Sequence, residues 1–383
     1  MKLLFSTPDL EIGGRAIEGF PLLIRDDCAP LQPAQNFLLH ALLENGATRS
    51  KLTWEAMGRR LYDYFAFLHA NGLAWDKTEG PVGTSALNRY RDWSSGELAL
   101  SPKTINKRLA LVVRFYEWAH QMGYIASIPF SYRSVKTYHQ NGMLAHVKRG
   151  PQSATRAAVL LREHRTPIRF LTGAQVQVCR LSLSNPSHRL LFELMLRSGL
   201  RSCEARTFPA KYVFDPANRK DLVRGQMIRV ILNPQDLSIK YGKPRSIDVP
   251  WSLMEDMSAY QNLERENRRK RSEEQPQALV LTAFGYAMAR TSVVGMFAEL
   301  SKRVGFPVTA HMLRHTYATY TLAALRKRPD FLGEPLLYLR DRLGHSDVRT
   351  TAEYLHLINQ LEGQLALAHE DFVDGLFYCE VVG

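Results

Sequence analysis

The spacing of apolar positions changes character along the chain. Trp54, Met57, Leu61, Tyr64, Phe65 and Leu68 recur at helical steps within a region from Thr48 to Phe130, and Asn71-Gly72 supplies a stop. Ser101-Pro102 opens a second helix, with proline at an early position where its missing N–H removes no bond. Ile105, Leu109, Val112, Tyr116 and Ala119 form the apolar stripe of that helix, and Gly123 closes it. Its opposite face carries Lys103, Lys107, Arg108 and Arg114, either as a solvated face or as a surface for a polyanion. From Arg133 to Arg165 the periodicity fades, and Arg133, Lys136, Lys148, Arg149, Arg156, Arg162 and Arg165 are opposed only by Glu163. Gly150-Pro151 punctuates this stretch, which reads as a basic linker with room for a helix over Ser153 to Arg165. Phe170-Leu171-Thr172 begins another domain, in which Met227 to Leu232 and Ser246 to Val249 alternate as two strands of a hairpin. Residues before about Leu31 contain Gly13-Gly14 and no clear period. The expected organisation is an extension over 1–30, a helical domain over 31–132, a basic linker over 133–168 and a final domain over 169–383.

Composition adds a partner class. A chain of 383 residues has room for roughly two or three domains with cores of their own. Lysine and arginine total 50 against 37 aspartate and glutamate, a formal charge of +13 that favours a polyanion, nucleic acid before membrane surface. Cys28, Cys179, Cys203 and Cys379 are scattered without a C-x-x-C pair, which argues against a disulfide framework or a zinc site and fits a reducing cytoplasm. The apolar run in MKLLFSTPDLEIGG is too short for a secretion signal, and nothing approaches a membrane span, so an intracellular soluble protein is expected.

The candidate chemistry lies in the last quarter, in HMLRHTYATY and then LGHSDVRTTAEYLH. His311 and Arg314, three residues apart on a helix, can face one phosphate. His345 and Tyr354 follow, the phenol as a candidate nucleophile for phosphoryl transfer. A tyrosine in a helix is more often a core residue, as Tyr317, Tyr338 and Tyr378 illustrate, and it is the place after Leu-Gly-His that singles out Tyr354. Upstream, Gly199-Leu200-Arg201-Ser202-Cys203-Glu204 puts an arginine at a helix start with a carboxylate three residues on; Arg197 is a lesser candidate. No carboxylate pair or metal-ligand cluster stands out, so neither a metal nor another cofactor is expected.

Taken in order, Gly-Leu-Arg-x-x-Glu, the Lys-x-Gly-Lys-x-Arg hairpin tip, His-x-x-Arg, Leu-Gly-His and the tyrosine nine residues later closely resemble the tyrosine recombinase (phage integrase) family. SPKTINKRLALVVRFYEWAHQMGYIASIPF is similar to the second half of that family's core-binding domain. The resemblance implies a mostly α fold with a small β-hairpin, a two-lobed DNA clamp made of a helical core-binding domain and an α+β catalytic domain. Its catalytic roles fall on Arg201 and Arg314 as phosphate ligands, Lys240 as proton donor to the leaving oxygen, His311 as acceptor of the phenol proton, His345 as a further donor and Tyr354 as nucleophile. Glu204 supports them, Lys243 competes with Lys240, and His315 stays outside the catalytic set. DNA contacts are expected from Lys103, Lys107, Arg108, Arg114, Lys148, Arg149 and Lys243. The chain departs from the family in a longer stretch between Arg314 and His345, through Arg326 to Pro335.

The implied function is site-specific recombination through a 3′-phosphotyrosyl intermediate and a Holliday junction, for integration, excision or transposition of a mobile element. The implied partners are double-stranded DNA with a specific site, three further copies of the chain in a tetramer, and room for accessory proteins, in the cytoplasm at the nucleoid and not at a membrane. DNA relaxation of the type IB topoisomerase kind and a non-catalytic DNA-binding regulator are the alternatives. Leu357 to Gly383 carries Glu362, Glu370, Asp371, Asp374 and Glu380 but no lysine or arginine, and suits either docking on a neighbouring copy or packing on its own domain.

Overall fold

The computed structural model describes residues 1–45, 50–78, 85–137, 152–163, 167–239 and 242–365. The chain divides into two units, Met1–Arg165 and Thr166–Gly383. Both are mostly helical, with small two-stranded sheets.

The first unit runs β1 (Lys2–Phe5), β2 (Glu11–Ile12), β3 (Arg15–Ala16), β4 (Pro21–Ile24), α1 (Ala34–Leu39), α2 (Lys51–Ala70), α3 (Ala86–Gly96), α4 (Pro102–Gln121), β5 (Tyr132–Thr137) and β6 (Gln152–Ala157). The apolar stripes of α2 and α4 are buried as their spacing predicts, and the Ser101 hydroxyl accepts the Thr104 N–H at the start of α4. Aromatic rings fill this core, and the buried phenols bond to one another and to the backbone: Tyr64 and Tyr116 share a 2.7 Å hydrogen bond, and Tyr116 donates to the Trp75 carbonyl. Lys103, Lys107 and Arg114 are exposed on α4, while Arg108 is paired with Asp63.

Two expectations are corrected here. The first 30 residues are no loose extension: β1 pairs antiparallel with β4, from Lys2 opposite Ile24 to Phe5 opposite Pro21, and Phe20 and Leu23 are fully buried in the core. Gly58 on α2 lets this layer approach, since a Cβ there would lie 2.3 Å from the Pro21 Cβ. Strands of four residues are too short to show a readable period. Nor is Ser153 to Arg165 helical where it is described, because β6 pairs antiparallel with β5, with Tyr132 opposite Ala157 and Thr137 opposite Gln152. Ala157 and Val159 are buried, and the Asn106 amide bonds both the Leu161 carbonyl and the Leu161 N–H. The partner strand satisfies the backbone here, which local spacing cannot reveal. Lys148 and Arg149 lie outside the described residues.

In the second unit α5 (Gly173–Ser182), α6 (Pro186–Ser198) and α7 (Ser202–Arg206) precede an antiparallel hairpin of β7 (Met227–Leu232) and β8 (Arg245–Pro250). Then follow α8 (Trp251–Tyr260), α9 (Glu266–Arg269), α10 (Arg290–Val304), α11 (Ala310–Lys327), α12 (Pro335–Leu343) and α13 (Val348–Leu365). Thr172 and Gln175 close a capping box at the start of α5. On β7 the inward Ile228, Val230 and Leu232 meet the larger core, which includes Phe192, Met195, Ile247 and Met257. A smaller cluster of Tyr317, Leu322, Leu339, Leu343, Tyr354 and Ile358 fastens α11, α12 and α13 together. α11 runs to Lys327, and a loop separates it from α12. Among the described residues no helix is long and apolar enough to cross a membrane.

Candidate active site

Two turns and one helix of the second unit converge. The first follows α6, where Gly199 adopts a left-handed φ of +66° and a Cβ would lie 2.3 Å from the Tyr317 ring. This turn delivers Arg201 to the start of α7. The Arg201 N–H donates to Glu204 Oε2 at 2.8 Å, its Nη1 to Glu204 Oε1 at 3.1 Å and its Nη2 to the Gly344 carbonyl at 3.3 Å. Glu204 has no exposed surface and also takes both Nη atoms of Arg245, at 2.6 and 2.8 Å. Burial pushes the Glu204 carboxyl up, but Arg245 and Arg201 together hold it below its ordinary range. Arg245 additionally donates from Nε to the Arg342 carbonyl, tying the hairpin to the end of α12.

The second contribution comes from α11. Arg314 is 2% exposed, and its Nη1 donates to the Gly199 carbonyl at 2.7 Å while Nη2 donates to the Leu343 carbonyl. Burial, with Arg201 next, brings its pKa down to about 9. A guanidinium has five N–H donors, so these two bonds leave others for an anion. His311 lies one turn earlier and is only partly covered, yet that partial burial, followed by Arg314 and Arg201, lowers its pKa.

The third contribution is the turn that joins α12 to α13. Leu343 and Gly344 present successive carbonyls to Arg314 and Arg201, at the negative end of the α12 dipole. Gly344 has a φ of +62°, and a Cβ there would sit 2.8 Å from the Arg245 Cδ. His345 comes next. Its Nδ1 is 3.0 Å from the Thr351 hydroxyl, and its ring is nearly parallel to that of Tyr354, with centroids 6.5 Å apart. Burial first, then Arg314 and Arg201, depresses its pKa to about 3.

Tyr354 is 2% exposed, and its hydroxyl lies 2.8 Å from the Nδ1 of His315. Burial pushes the phenol up to about 12 against the pull of Arg314 and Arg201. His315 also packs edge-on against His311, with ring centroids 4.1 Å apart, and burial followed by His311 and Arg314 lowers its pKa to about 4.

The expected residues Arg201, Glu204, His311, Arg314, His345 and Tyr354 are therefore neighbours in one cluster. Lys240 lies outside the described residues, and Lys243 is exposed. Arg197 is held elsewhere, by Asp256 and Ser252. Two contacts were not foreseen from the sequence. The imidazole on the Tyr354 hydroxyl is His315, not His311, because a step of four residues along α11 keeps the face while moving one turn. That i,i+4 spacing from His311 was the available signal. Arg245, the last residue of the Lys-x-Gly-Lys-x-Arg phrase, makes the other, and nothing local pointed to its distant carboxylate.

Residues 174–360 match the model of the phage integrase family. Transposase A from transposon Tn554 of Staphylococcus aureus is 27% identical over 319 residues, covering 81% of each chain. Tyrosine recombinase XerC of Chlamydia pneumoniae is 31% identical over 201 residues, 51% of this chain and 56% of that one. Among solved structures, the XerH site-specific recombinase in a post-cleavage complex with a palindromic difH substrate shares the fold, with a TM-score of 0.54 at 15% identity over 89% of this chain and 85% of that one. Family model, relatives and fold converge: residues 174–360 carry a domain of the phage integrase family of tyrosine recombinases, DNA strand-transferases that need neither ATP nor a metal ion.

Proposed function

We propose that this recombinase cuts and rejoins DNA at a specific site through a 3′-phosphotyrosyl bond to Tyr354, and serves the integration, excision or transposition of a mobile element. The observation that supports it best is the pair of guanidinia on the carbonyls of Leu343 and Gly344, directly before His345, with Tyr354 parallel to that imidazole. A phosphodiester resists attack because its charge repels nucleophiles. Arg201 and Arg314 would grip its non-bridging oxygens and stabilise the charge added in the transition state. His345, and His311 beside the guanidinia, would donate further hydrogen bonds. The phenol proton passes to a histidine of the cluster, and the departing 5′-oxygen takes a proton from Lys240, with Lys243 as its competitor. Glu204 would orient Arg201 through the two bonds it accepts from it.

Because the phosphotyrosyl bond conserves the energy of the broken one, a 5′-hydroxyl of another strand can reseal it. Four copies exchanging strands pairwise through a Holliday junction complete the reaction in this reading. Lys103, Lys107, Arg114, Lys148, Arg149 and Lys243 would hold phosphates, and Arg108 would do so from its bond with Asp63. The mobile-element role leans on the Tn554 transposase, which matches over most of both chains. The test is a nicked suicide duplex carrying the junction of the element that encodes the chain, incubated with wild type and Tyr354→Phe. A covalent protein–DNA adduct confined to wild type is expected. An adduct that survives in Tyr354→Phe would remove Tyr354 as nucleophile, and relaxation of plasmids lacking any site would make the enzyme a topoisomerase.

A further inference from the structure

We propose that His315 is the catalytic residue that takes the Tyr354 proton as the phenol attacks, with His311 serving the phosphate instead. The inference deepens the function proposed above and rests on it. Its basis is placement: among the described residues, the base in hydrogen-bond contact with the Tyr354 hydroxyl is His315, at 2.8 Å through Nδ1. A group that is to remove a proton must lie within that reach, and geometry precedes basicity in choosing it. Carried on α11, His315 keeps its place beside α13 through the cluster that fastens those helices. His311, the other candidate, lies edge-on behind it and open to solvent.

The Oη–H bond of Tyr354 breaks and its proton moves to Nδ1, giving an imidazolium that keeps its Nε2 proton. The Oη–P bond forms, the P–O5′ bond breaks, and the 5′-oxygen takes a proton from the general acid of the reaction. On resealing the order reverses, and His315 returns the proton to the phenolate. The surroundings make this base responsive to substrate. Facing it are His311 and Arg314 on its own helix, Tyr354 on α13, and His345 at the turn before α13. Burial and the cationic neighbour hold the imidazole neutral, its pKa near 4. A phosphodiester bound to Arg314 and Arg201 offsets that positive field and raises the basicity of His315 when the proton has to move.

The experiment is single-turnover adduct formation on the nicked suicide duplex, from pH 6 to 9, for wild type, Tyr354→Phe, His315→Asn and His311→Asn. Asparagine at 315 keeps an acceptor for the phenol O–H but cannot carry its proton away. We expect His315→Asn to bind the duplex normally and to cleave roughly 10²–10⁴-fold more slowly, with a rate that rises with pH. Difluorotyrosine at position 354 needs less help to ionise, so it should recover most of the His315→Asn loss and little of the His311→Asn loss. A wild-type rate in His315→Asn across this pH range would overturn the assignment. So would a His315→Asn loss that fluorination leaves untouched, or a fluorination-sensitive loss in His311→Asn alone. No adduct with wild type, or one that persists in Tyr354→Phe, would instead fail the parent reading and take this inference with it.

Discussion

Two buried tyrosines divide the molecule by purpose. In the first unit Tyr116 bonds Tyr64 and the Trp75 carbonyl; in the second Tyr354 bonds His315. Both phenols are raised by burial. Their fields differ in sign. Around Tyr64, the phenols of Tyr116 and Tyr90 push ionisation further away, and Asp76 does so around Tyr116, whose bond with Tyr64 acts in the other direction. Around Tyr354, Arg314 and Arg201 pull it back, and a base touches the hydroxyl. Burial and a raised pKa therefore do not mark a nucleophile. What sets the proposed nucleophile apart is guanidinia that favour the phenolate, beside an acceptor for its proton.

The largest break in this comparison is Tyr354→Phe against Tyr116→Phe. The first is expected to abolish adduct formation with DNA binding intact, while the second cleaves at the wild-type rate, as a quench-flow comparison would check. Next comes Glu204→Gln. It strips the buried counter-charge from Arg201 and Arg245 and should destabilise the second unit by about 3–5 kcal/mol, measured by denaturant unfolding. Arg201→Lys loses the planar fork and should slow cleavage roughly a hundred- to thousandfold with binding largely kept. An unchanged rate would remove Arg201 from the phosphate.

Proton linkage sharpens the contrast further. His315 and His345 have folded pKa values of about 4 and 3 against an ordinary 6.5. Between those limits the unfolded chain binds more protons than the folded one, so stability is fully present above pH 6.5 and falls as pH drops through the window. The midpoint of unfolding should be lower at pH 5 than at pH 7, and His315→Asn should reduce that difference. The smallest effect is stability in Tyr116→Phe, about 1–3 kcal/mol, because the buried Tyr64 hydroxyl loses its partner.

How far these regions could be read beforehand follows from the range of the forces. α2 and α4 were readable because side chains three and four residues apart share a face, and the burial of Trp54, Leu61, Ile105 and Leu109 follows that periodicity. β7 was equally readable from its two-residue alternation. The β1–β4 layer and the β5–β6 pair were not, since each strand is fixed by a partner beyond a turn or loop. In the active cluster, Arg201, His311, Arg314, His345 and Tyr354 stood out by type and order. The Arg245–Glu204 bond spans 41 positions and left no local trace.

By itself, then, the sequence determined the helical stripes, the basic balance that favours a polyanion, and the candidate residues for binding a phosphate and attacking it. Those properties depend on composition and on spacing within a few residues. Tertiary structure alone decided which imidazole meets the Tyr354 hydroxyl, which carboxylate holds Arg201 and which carbonyls anchor Arg314. Each of those choices turns on hydrogen bonds whose geometry is set to within an ångström by elements far apart in the chain.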